Sequence, residues 1–417
     1  MGRRFRKLIS YYRPYRRLLL ADLACASVVA GTTLLLPLGI RYITRNVLEG
    51  GMANPQAHIY GVGALMLALI AVHTACNYFV DYRGHAMGAM METDMRRELF
   101  AHYQRLSFRF HDSQVTGQLM SRITHDLLSL TELYHHAPED LVINTVRFVG
   151  ATAILLSINA RLALAVLAFL PLMGVYILRV SRWMHAALRE NRQRVAEVNA
   201  QVEDSLAGIR VVQSFANEAE EQEKFDRANG RFLASRTRTY RAEAVFSQGM
   251  ETSSQLLTAA VAVFGGVAIV GGSLGLADLI TFLLYIGNLI QPLRGLAHTV
   301  QQYQEGITGF ERFMEILDIA PDIQDAPHAR DLAVARGDIA FQQVGFRYHS
   351  DHQDVLKDVC LEIRAGDHVA LVGTSGVGKT TLCSLIPRFY DASEGRVLID
   401  GVDVRDVTLR SLRRQVG

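Results

Sequence analysis

The residues with the clearest chemical capacity form a glycine-rich run that ends in lysine and threonine. The run consists of Gly373, Thr374, Ser375, Gly376, Val377, Gly378, Lys379, Thr380 and Thr381. This spacing is typical of a loop that cradles phosphates, because glycines let several backbone N–H groups point into one concavity at a helix N-terminus. Lys379 would then reach the outer phosphates, and the hydroxyl of Thr380 would be a ligand of Mg²⁺. A chance turn is disfavoured, since the apolar residues 369–372 predict a strand directly before the loop. The chain is therefore expected to bind a nucleoside triphosphate.

The chain ahead of this loop contains six apolar stretches, each near the length of about 20 residues that a helix needs to cross a bilayer. They lie approximately at residues 18–43, 59–80, 141–158, 162–180, 247–270 and 276–300. The third and the sixth are the weakest by hydropathy. A soluble bundle is the alternative, but runs such as residues 162–170 have no polar face to present to water. The pattern predicts an α-helical polytopic membrane domain with six transmembrane helices.

Basic residues indicate how these helices are oriented. Seven of them precede the first span: Arg3, Arg4, Arg6, Lys7, Arg13, Arg16 and Arg17. By the positive-inside rule they put the N-terminus in the cytoplasm. The chain then returns to that side after spans two, four and six, and the connections on the other side are short. We therefore expect a multi-pass protein of the plasma or inner membrane, with its nucleotide-binding part in the cytoplasm.

The net charge, the length of the first apolar stretch and the spacing of the cysteines argue against several other classes of protein. The formal net charge of +2 gives no indication of nucleic-acid binding. The first apolar stretch continues past Ile40, so it is too long for a cleaved signal peptide. The cysteines lack C-x-x-C spacing and are interpreted as small buried residues, not as disulfides or metal ligands. They are Cys25, Cys76, Cys360 and Cys383.

Polar residues within the spans leave two interpretations open. His73, Asn77 and Asp81 recur at helical spacing on the second span. They could line a substrate path, or they could make hydrogen bonds between helices, which we favour. Arg294 on the sixth span could form a cavity wall or reach out to solvent, and Arg147 on the third is expected to extend towards the interface.

Two long segments between spans have helical patterns and end in breaks. Apolar residues recur at helical spacing in residues 91–106 and 195–206, and the breaks follow near Ser113 and Val212. The simple interpretation is an ordinary connection between helices. The functional one is a short helix at each break that docks on the nucleotide-binding part, with Phe110 and Phe215 as apolar contacts.

At this point the chain resembles a known family, the exporters of the ATP-binding cassette (ABC) class. The resemblance lies in residues 110–124, 208–218, 344–348, 356–366 and 395–401, in addition to the loop, and it extends over essentially all 417 residues. It implies a half-transporter of the lipid, peptide and multidrug exporter branch. The expected fold is the type-1 exporter fold followed by the N-terminal part of an α/β P-loop nucleotide-binding domain.

The resemblance also implies roles for individual residues. Tyr348 would stack on adenine, although a strand tyrosine that packs on the sheet is the alternative. Coupling to the membrane helices would involve Phe110, Ser113, Val212 and Phe215. The implied cofactors are ATP and Mg²⁺, and the implied partner is a second half-transporter, as a homodimer or a heterodimer.

The resemblance further implies ATP-driven export or flipping of an amphipathic or lipid-like substrate, which could be a small molecule, a lipid or a peptide. A regulatory half without hydrolysis, or an inactive fragment, is the alternative.

We divide the chain into a membrane domain (1–320), a linker (321–335) and a partial nucleotide-binding domain (336–417). The signature motif, the catalytic carboxylate and the switch histidine of the family would follow Gly417, so we expect a truncated cassette with no catalytic residue in this chain. Without its neighbours, the strand at 369–372 should leave apolar surface exposed.

Overall fold

The computed structural model describes residues 2–333, 336–348 and 354–417. In chain order the helices are α1 (Gly2–Ser10), α2 (Arg16–Tyr42), α3 (Pro55–Phe79), α4 (His85–Tyr103), α5 (Phe108–Ser113), α6 (Thr116–Ser121), α7 (Leu127–Ile158), α8 (Ala160–Ala207), α9 (Ile209–Ser214), α10 (Glu218–Val270), α11 (Leu276–Leu317), α12 (Lys379–Leu385) and α13 (Leu409–Arg414). The strands are β1 (Ile339–Phe346), β2 (Leu356–Ile363), β3 (Glu394–Ile399) and β4 (Val402–Asp403). Single π-helical segments at Ile43–Leu48, Val80–Gly84 and Arg122–Asp126 continue α2, α3 and α6.

Six helical stretches of the described chain are long and apolar enough to cross a membrane. They are Arg16–Leu48, Pro55–Tyr103, Thr116–Ile158, Ala160–Ala207, Glu218–Val270 and Leu276–Gly295. The six predicted spans are therefore confirmed. At 1.5 Å per residue, α8 and α10 are each over about 70 Å long, more than twice the hydrocarbon thickness of about 30 Å. The membrane helices thus continue far beyond a bilayer, as the helical pattern of the excursions predicted.

Small residues let the membrane helices pack closely. A Cβ placed on Gly150 of α7 would collide with the side chain of Leu34 on α2, and one on Gly249 of α10 would collide with Tyr176 on α8. Close approach at small residues is the usual way in which helices associate in lipid, where burial of apolar surface gives no driving force. Around these contacts, α2, α7, α8, α10 and α11 form one core that includes Phe282, whose side chain is fully buried.

The chain divides into two compact units that do not follow the order of the sequence. The P-loop unit consists of Met1–Ser10, Ala89–Thr131 and Glu305–Gly417. The membrane unit consists of Tyr11–Gly88 and Glu132–Gln304. The helical excursion around α5 thus belongs to the same unit as the glycine-rich loop. The predicted boundaries at 320 and 335 stay predictions, and the linker includes Val334 and Ala335, which lie outside the described residues.

The sheet of the P-loop unit is antiparallel and has the order β2-β1-β3-β4. Central β1 pairs Ile339 with Ile363 of β2 on one side and with Ile399 of β3 on the other. Its inward side chains Phe341, Val344 and Phe346 are buried with Leu382 and Leu385 of α12 and with Tyr390. The sheet and α12 therefore share one core, which holds the end of the glycine-rich loop against β2.

The strand that we predicted at residues 369–372 is wrong. These residues have no regular secondary structure, and Val372 is 91% exposed. A strand needs neighbours for its N–H and C=O groups, and none of the described strands pairs with this segment. The accompanying expectation, that this segment leaves apolar surface exposed, is confirmed.

Candidate nucleotide site

The glycine-rich loop turns into α12 through two residues with left-handed backbone. Gly376 has a φ of 85° and Gly378 a φ of 96°. A Cβ on Gly378 would also lie 2.9 Å from Cδ2 of Leu356 and 3.2 Å from the backbone O of Val355. Both the conformation and the space therefore require glycine at this position. The loop keeps the tight turn that a phosphate cradle needs.

The positive charge of the loop lies at its mouth. Nζ of Lys379 donates hydrogen bonds to the backbone O of Gly373, at 3.0 Å, and of Thr374, at 2.7 Å. Thr380 is exposed next to it, and so are Thr374, Ser375 and Val377. An ammonium group and a free hydroxyl at an open, glycine-lined turn suit the phosphates of a nucleotide and the oxygen coordination that Mg²⁺ requires.

Tyr348 lies against the helix that follows the loop. Its Oη is 2.9 Å from Oγ1 of Thr381, which is buried. The Tyr348 ring is half-buried and meets two other rings edge-on: Phe346 at a centroid distance of 4.8 Å and Tyr390 at 5.3 Å. The fold thus brings together two predicted site residues that are 33 positions apart. Packing against other aromatic rings is also what the alternative interpretation of Tyr348 predicts.

Tyr390 connects this aromatic group to α5. Its Oη donates a hydrogen bond to Oδ2 of Asp112 at the end of α5. Burial, and then the bond to this carboxylate, raise the pKa of Tyr390 well above its ordinary value, so the hydroxyl keeps its proton. Beside it, the rings of Phe108 and Phe389 stack with centroids 4.1 Å apart. A carboxylate and an aromatic ring of α5 therefore contact the segment that follows α12.

The two coupling residues predicted near α5, Phe110 and Ser113, stay predictions. Phe110 is buried, and Oγ of Ser113 donates to the Phe110 backbone O at 2.8 Å, so this serine caps its own short helix. Phe108 and Asp112, which sequence reasoning missed, contact Phe389 and Tyr390 after α12. Their signal in the sequence is weak, since Phe108 precedes the break and Asp112 lies within it.

The second predicted coupling segment forms α9. Val212 is half-buried and lines a hollow of about 250 Å³ between α8, α9 and α10, together with Leu206 and Phe225. Phe215, directly after α9, is 76% exposed. Both breaks therefore contain a short helix, and Phe215 does not pack inside its own helical hairpin.

The membrane helices and the glycine-rich loop match known family models. The model described as the ABC transporter transmembrane region matches residues 19–293, more than half of the chain. The chain belongs to the ABC transporter family. A second model, described as ABC transporter, matches residues 356–417, which contain the glycine-rich loop.

Individual relatives agree with this assignment and include exporters. YwjA, an uncharacterised ABC transporter ATP-binding protein of Bacillus subtilis, is 38% identical over 412 residues, which cover 99% of this chain and 71% of the relative. YgaD, a putative multidrug export ATP-binding/permease protein of the same species, is 30% identical over 415 residues, with 99% and 72% covered. The ATP-dependent lipid A-core flippase of Syntrophus aciditrophicus is 30% identical over 414 residues, with 99% and 68% covered.

A solved structure supports the fold. The bacterial Atm1-family ABC exporter with ATP bound superimposes with a TM-score of 0.73 at 24% identity, and the match covers 95% of this chain and 70% of that one. The predicted exporter fold, followed by a small sheet-and-helix nucleotide-binding portion, is confirmed. The chain is a multi-pass membrane protein and an ABC half-transporter, whose activity is export driven by ATP. A regulatory half without hydrolysis is not favoured, because the relatives include a putative multidrug export protein and lipid A-core flippases.

Proposed function

We propose that this chain works as one half of a dimer that moves an acidic amphipathic or lipid-like molecule out of the cytoplasm, with Mg²⁺ and ATP at its loop. The observation that carries this proposal is the continuous contact from the glycine-rich loop to α5, through Thr381, Tyr348, Tyr390 and Asp112. A nucleotide that binds at one end of this path would change the surroundings of α5, a short helix that lies in sequence between α4 and α6. Export requires a physical link between the nucleotide site and the membrane helices, whereas nucleotide binding alone does not.

The nucleotide would be held by the predicted site residues. Tyr348 would offer a ring face to the base, which its half-exposed position permits. The phosphates would meet the backbone of residues 373–378 and the ammonium group of Lys379, and the hydroxyl of Thr380 would be a ligand of Mg²⁺. The ion supplies charge neutralisation of the phosphates during transfer. The glycines at 376 and 378 support this arrangement, because larger residues would not adopt their backbone conformation.

The proposed partner is a second half-transporter. Phe215 and Val211 of the α9 region are 76% and 61% exposed within this chain. Two large apolar side chains on so short a segment indicate a contact surface. We propose that α9 docks on the P-loop unit of the partner, whereas α5 docks on its own. The N-terminus and the P-loop unit are assigned to the cytoplasm by the seven basic residues ahead of the first span.

The proposed substrate class rests on a hollow in the membrane unit. It has a volume of about 490 Å³ and is lined by α2, α7 and α11, with Leu36, Ile40 and Leu284 next to Asn288, Gln291 and Arg147. Nε of Arg147 is buried and has no hydrogen-bond partner among the described residues. An unpaired guanidinium group between apolar side chains suits a molecule with an acidic group and an apolar body. One relative is named as a lipid A-core flippase, which supports a lipid-like substrate, and another is named as a putative multidrug export protein.

The substrate proposal is tested in proteoliposomes that contain the transporter with a complete cassette. We expect phosphatidic acid to stimulate ATP hydrolysis more than diacylglycerol, which has the same acyl chains and no charge. Arg147→Gln should raise the half-maximal concentration of phosphatidic acid by about tenfold or more, because a hydrogen bond to a charged group contributes about 1.5–3 kcal/mol.

Arg294→Gln is the matched control for this experiment. Arg294 already forms an ion pair with Glu251 at 2.8 Å, so its removal should leave the response to phosphatidic acid within about twofold. Equal stimulation by both lipids, or an unchanged response in Arg147→Gln, would contradict the acidic substrate class and leave the export function itself untouched.

A further inference from the structure

A second cluster of ligand-type side chains belongs to the membrane unit and shares no residue with the nucleotide site. Asp22 lies in the second turn of α2, and His135 and Glu139 lie one turn apart on α7. Asp22 is 1% exposed and His135 is 3% exposed. Each of these three residues lies near one end of an apolar stretch. In each case this is the end that is closer in sequence to a segment of the P-loop unit. The buried Asp22 and His135 and the half-buried Glu139 thus lie together where the membrane helices meet their polar extensions.

Several polar atoms of this cluster lack partners. Oδ1 of Asp22, Oε2 of Glu139 and both ring nitrogens of His135 are buried and form no hydrogen bond with any part of the chain that the structure describes. Buried polar atoms are almost always paired, and a buried carboxylate without a partner is especially unfavourable. Four such atoms in one place, of which only Nε2 of His135 and Oε2 of Glu139 are within ion-pair distance of each other, indicate that a ligand satisfies them.

The spacing of these atoms suits a metal ion. One ligand atom from each of Asp22, His135 and Glu139 lies within 4.8 Å of the others. Nε2 of His135 and Oε2 of Glu139 are 3.5 Å apart. Two ligands of a tetrahedral Zn²⁺, each about 2.0–2.1 Å from the ion, are separated by about 3.3 Å. The α7 pair therefore already has the separation of two zinc ligands, and Asp22 needs only a small side-chain movement.

A glycine keeps the space between these side chains open. Gly84, in the π-helical segment Val80–Gly84, faces the cluster. A Cβ at this position would lie 2.8 Å from Nδ1 of His135 and 3.0 Å from Oδ1 of Asp22. Any larger residue would occupy the room between the imidazole and the carboxylate. Because the π-helical segment has a glycine here, none of its side chains fills the place where an ion would fit.

The local charge favours a divalent cation. When both are ionised, Asp22 and Glu139 carry two negative charges, and Asp81 and Asp140 interact electrostatically with Glu139. Within the described residues, neither Asp22 nor Glu139 forms an ion pair with lysine or arginine. A neutral imidazole with two carboxylates is a nitrogen and oxygen ligand set, which suits Zn²⁺ and its neighbours in the first transition row better than Mg²⁺ or Ca²⁺.

We propose that Asp22, His135 and Glu139 bind one divalent transition-metal ion of the Zn²⁺ type, with His85 of α4 as the fourth ligand. The ring of His85 lies 4.1 Å from that of His135, centroid to centroid. An alternative set uses His136 in place of the carboxylates. It is less suitable because His136 already lies 3.2 Å from a carboxylate oxygen of Glu132. The bound ion ties α2 to α7 and to the start of α4.

The test uses the transporter with its complete cassette, purified in detergent through a tag without histidine and stripped with EDTA. Zn²⁺ is titrated by calorimetry, and Co²⁺ is added separately because its visible spectrum reports a tetrahedral site. We expect about one ion per chain, a higher unfolding temperature with Zn²⁺, and reversal by EDTA. Asp22→Asn and Glu139→Gln keep the side-chain shapes, and each should weaken Zn²⁺ binding by more than about 100-fold.

His125→Ala is the matched control, because His125 is exposed and lies outside the cluster. It should bind Zn²⁺ like the unchanged protein. Binding that survives both carboxylate substitutions but is lost in His136→Ala would overturn the proposed ligand set. The absence of Zn²⁺ and Co²⁺ binding in the folded, unchanged protein would overturn the site itself, and this outcome does not depend on whether any variant folds.

Discussion

The hydrogen bond between Tyr390 and Asp112 offers a direct test of how α5 is held on the P-loop unit. Tyr390→Phe removes only the hydroxyl group. The ring stays and can keep its contacts with Phe346 and Tyr348, whose centroids lie 5.5 Å and 5.3 Å away. The substitution therefore separates the link to α5 from the packing around the nucleotide site.

The size of the effect follows from the surroundings of the bond. A hydrogen bond to a charged group contributes about 1.5–3 kcal/mol. Asp112 is exposed, so water can replace the lost hydroxyl and the lower end of this range applies. The equilibrium between docked and undocked α5 should thus shift by about tenfold. The stacked rings of Phe108 and Phe389 are unaffected and keep α5 docked for most of the time.

Two measurements on the transporter with a complete cassette check this expectation. Amide hydrogen exchange in α5 should become about tenfold faster in Tyr390→Phe. The ratio of substrate-stimulated to basal ATP hydrolysis, measured at saturating ATP, should fall while the basal rate stays within about twofold. Asp112→Asn should act in the same direction, and the double variant should add little, since both changes remove one bond.

Two results would refute this reasoning. Unchanged exchange in α5 would mean that the bond contributes nothing to docking. Fully additive effects in the double variant would mean that the two residues act independently.

The hydrogen bond between Tyr390 and Asp112 should also be insensitive to pH through the neutral range, since the raised pKa of Tyr390 keeps the hydroxyl protonated in the folded protein. On the alkaline side, its contribution is present below the ordinary tyrosine pKa of about 10 and is lost as the pH rises from there towards the folded value.

The remaining predictions concern the nucleotide and the orientation in the membrane. Tyr348→Ala should weaken nucleotide binding by about 1–3 kcal/mol and Tyr348→Trp should retain most of the affinity, measured by equilibrium binding of a fluorescent ATP analogue; an unchanged affinity in the alanine variant would favour the interpretation of Tyr348 as a packing residue. Cysteine at Asn54 should react with a membrane-impermeant thiol reagent in intact cells, and cysteine at Ser113 only after permeabilisation. The reverse pattern would contradict the predicted orientation.

The features that the sequence predicted correctly depend on neighbours along the chain. The six spans follow from apolar runs whose length matches a bilayer, and α12 begins at Lys379 directly after the glycine-rich turn. The helical excursions follow from the periodicity of residues 91–106 and 195–206, which α4 and α8 confirm. The predicted strand at 369–372 was wrong because strand formation depends on partners from elsewhere in the sheet.

The features that the sequence did not predict depend on distant residues. Asp112 and Tyr390 are 278 positions apart, and nothing near either residue indicates the other. Asp22 and His135 likewise meet only because α2 and α7 pack together. Part of that cluster could have been found, since His135 and Glu139 have the i, i+4 spacing that places two ligands on one helical face. Asp22 could be assigned to the cluster only from the fold, because it lies on a different helix.

The two short helices differ in a way that bears on assembly. In the α5 region, the ring of Phe108 and the carboxylate of Asp112 contact Phe389 and Tyr390 of the same chain. The α9 region leaves Phe215 76% exposed, and burial of a phenylalanine side chain contributes about 1.5–3 kcal/mol. We infer that the surface complementary to α9 is on a second half-transporter. In such a dimer each P-loop unit would receive α5 from its own chain and α9 from the partner. A nucleotide at one loop would then act on the helices of both chains, so dimer formation and coupling would depend on the same contacts.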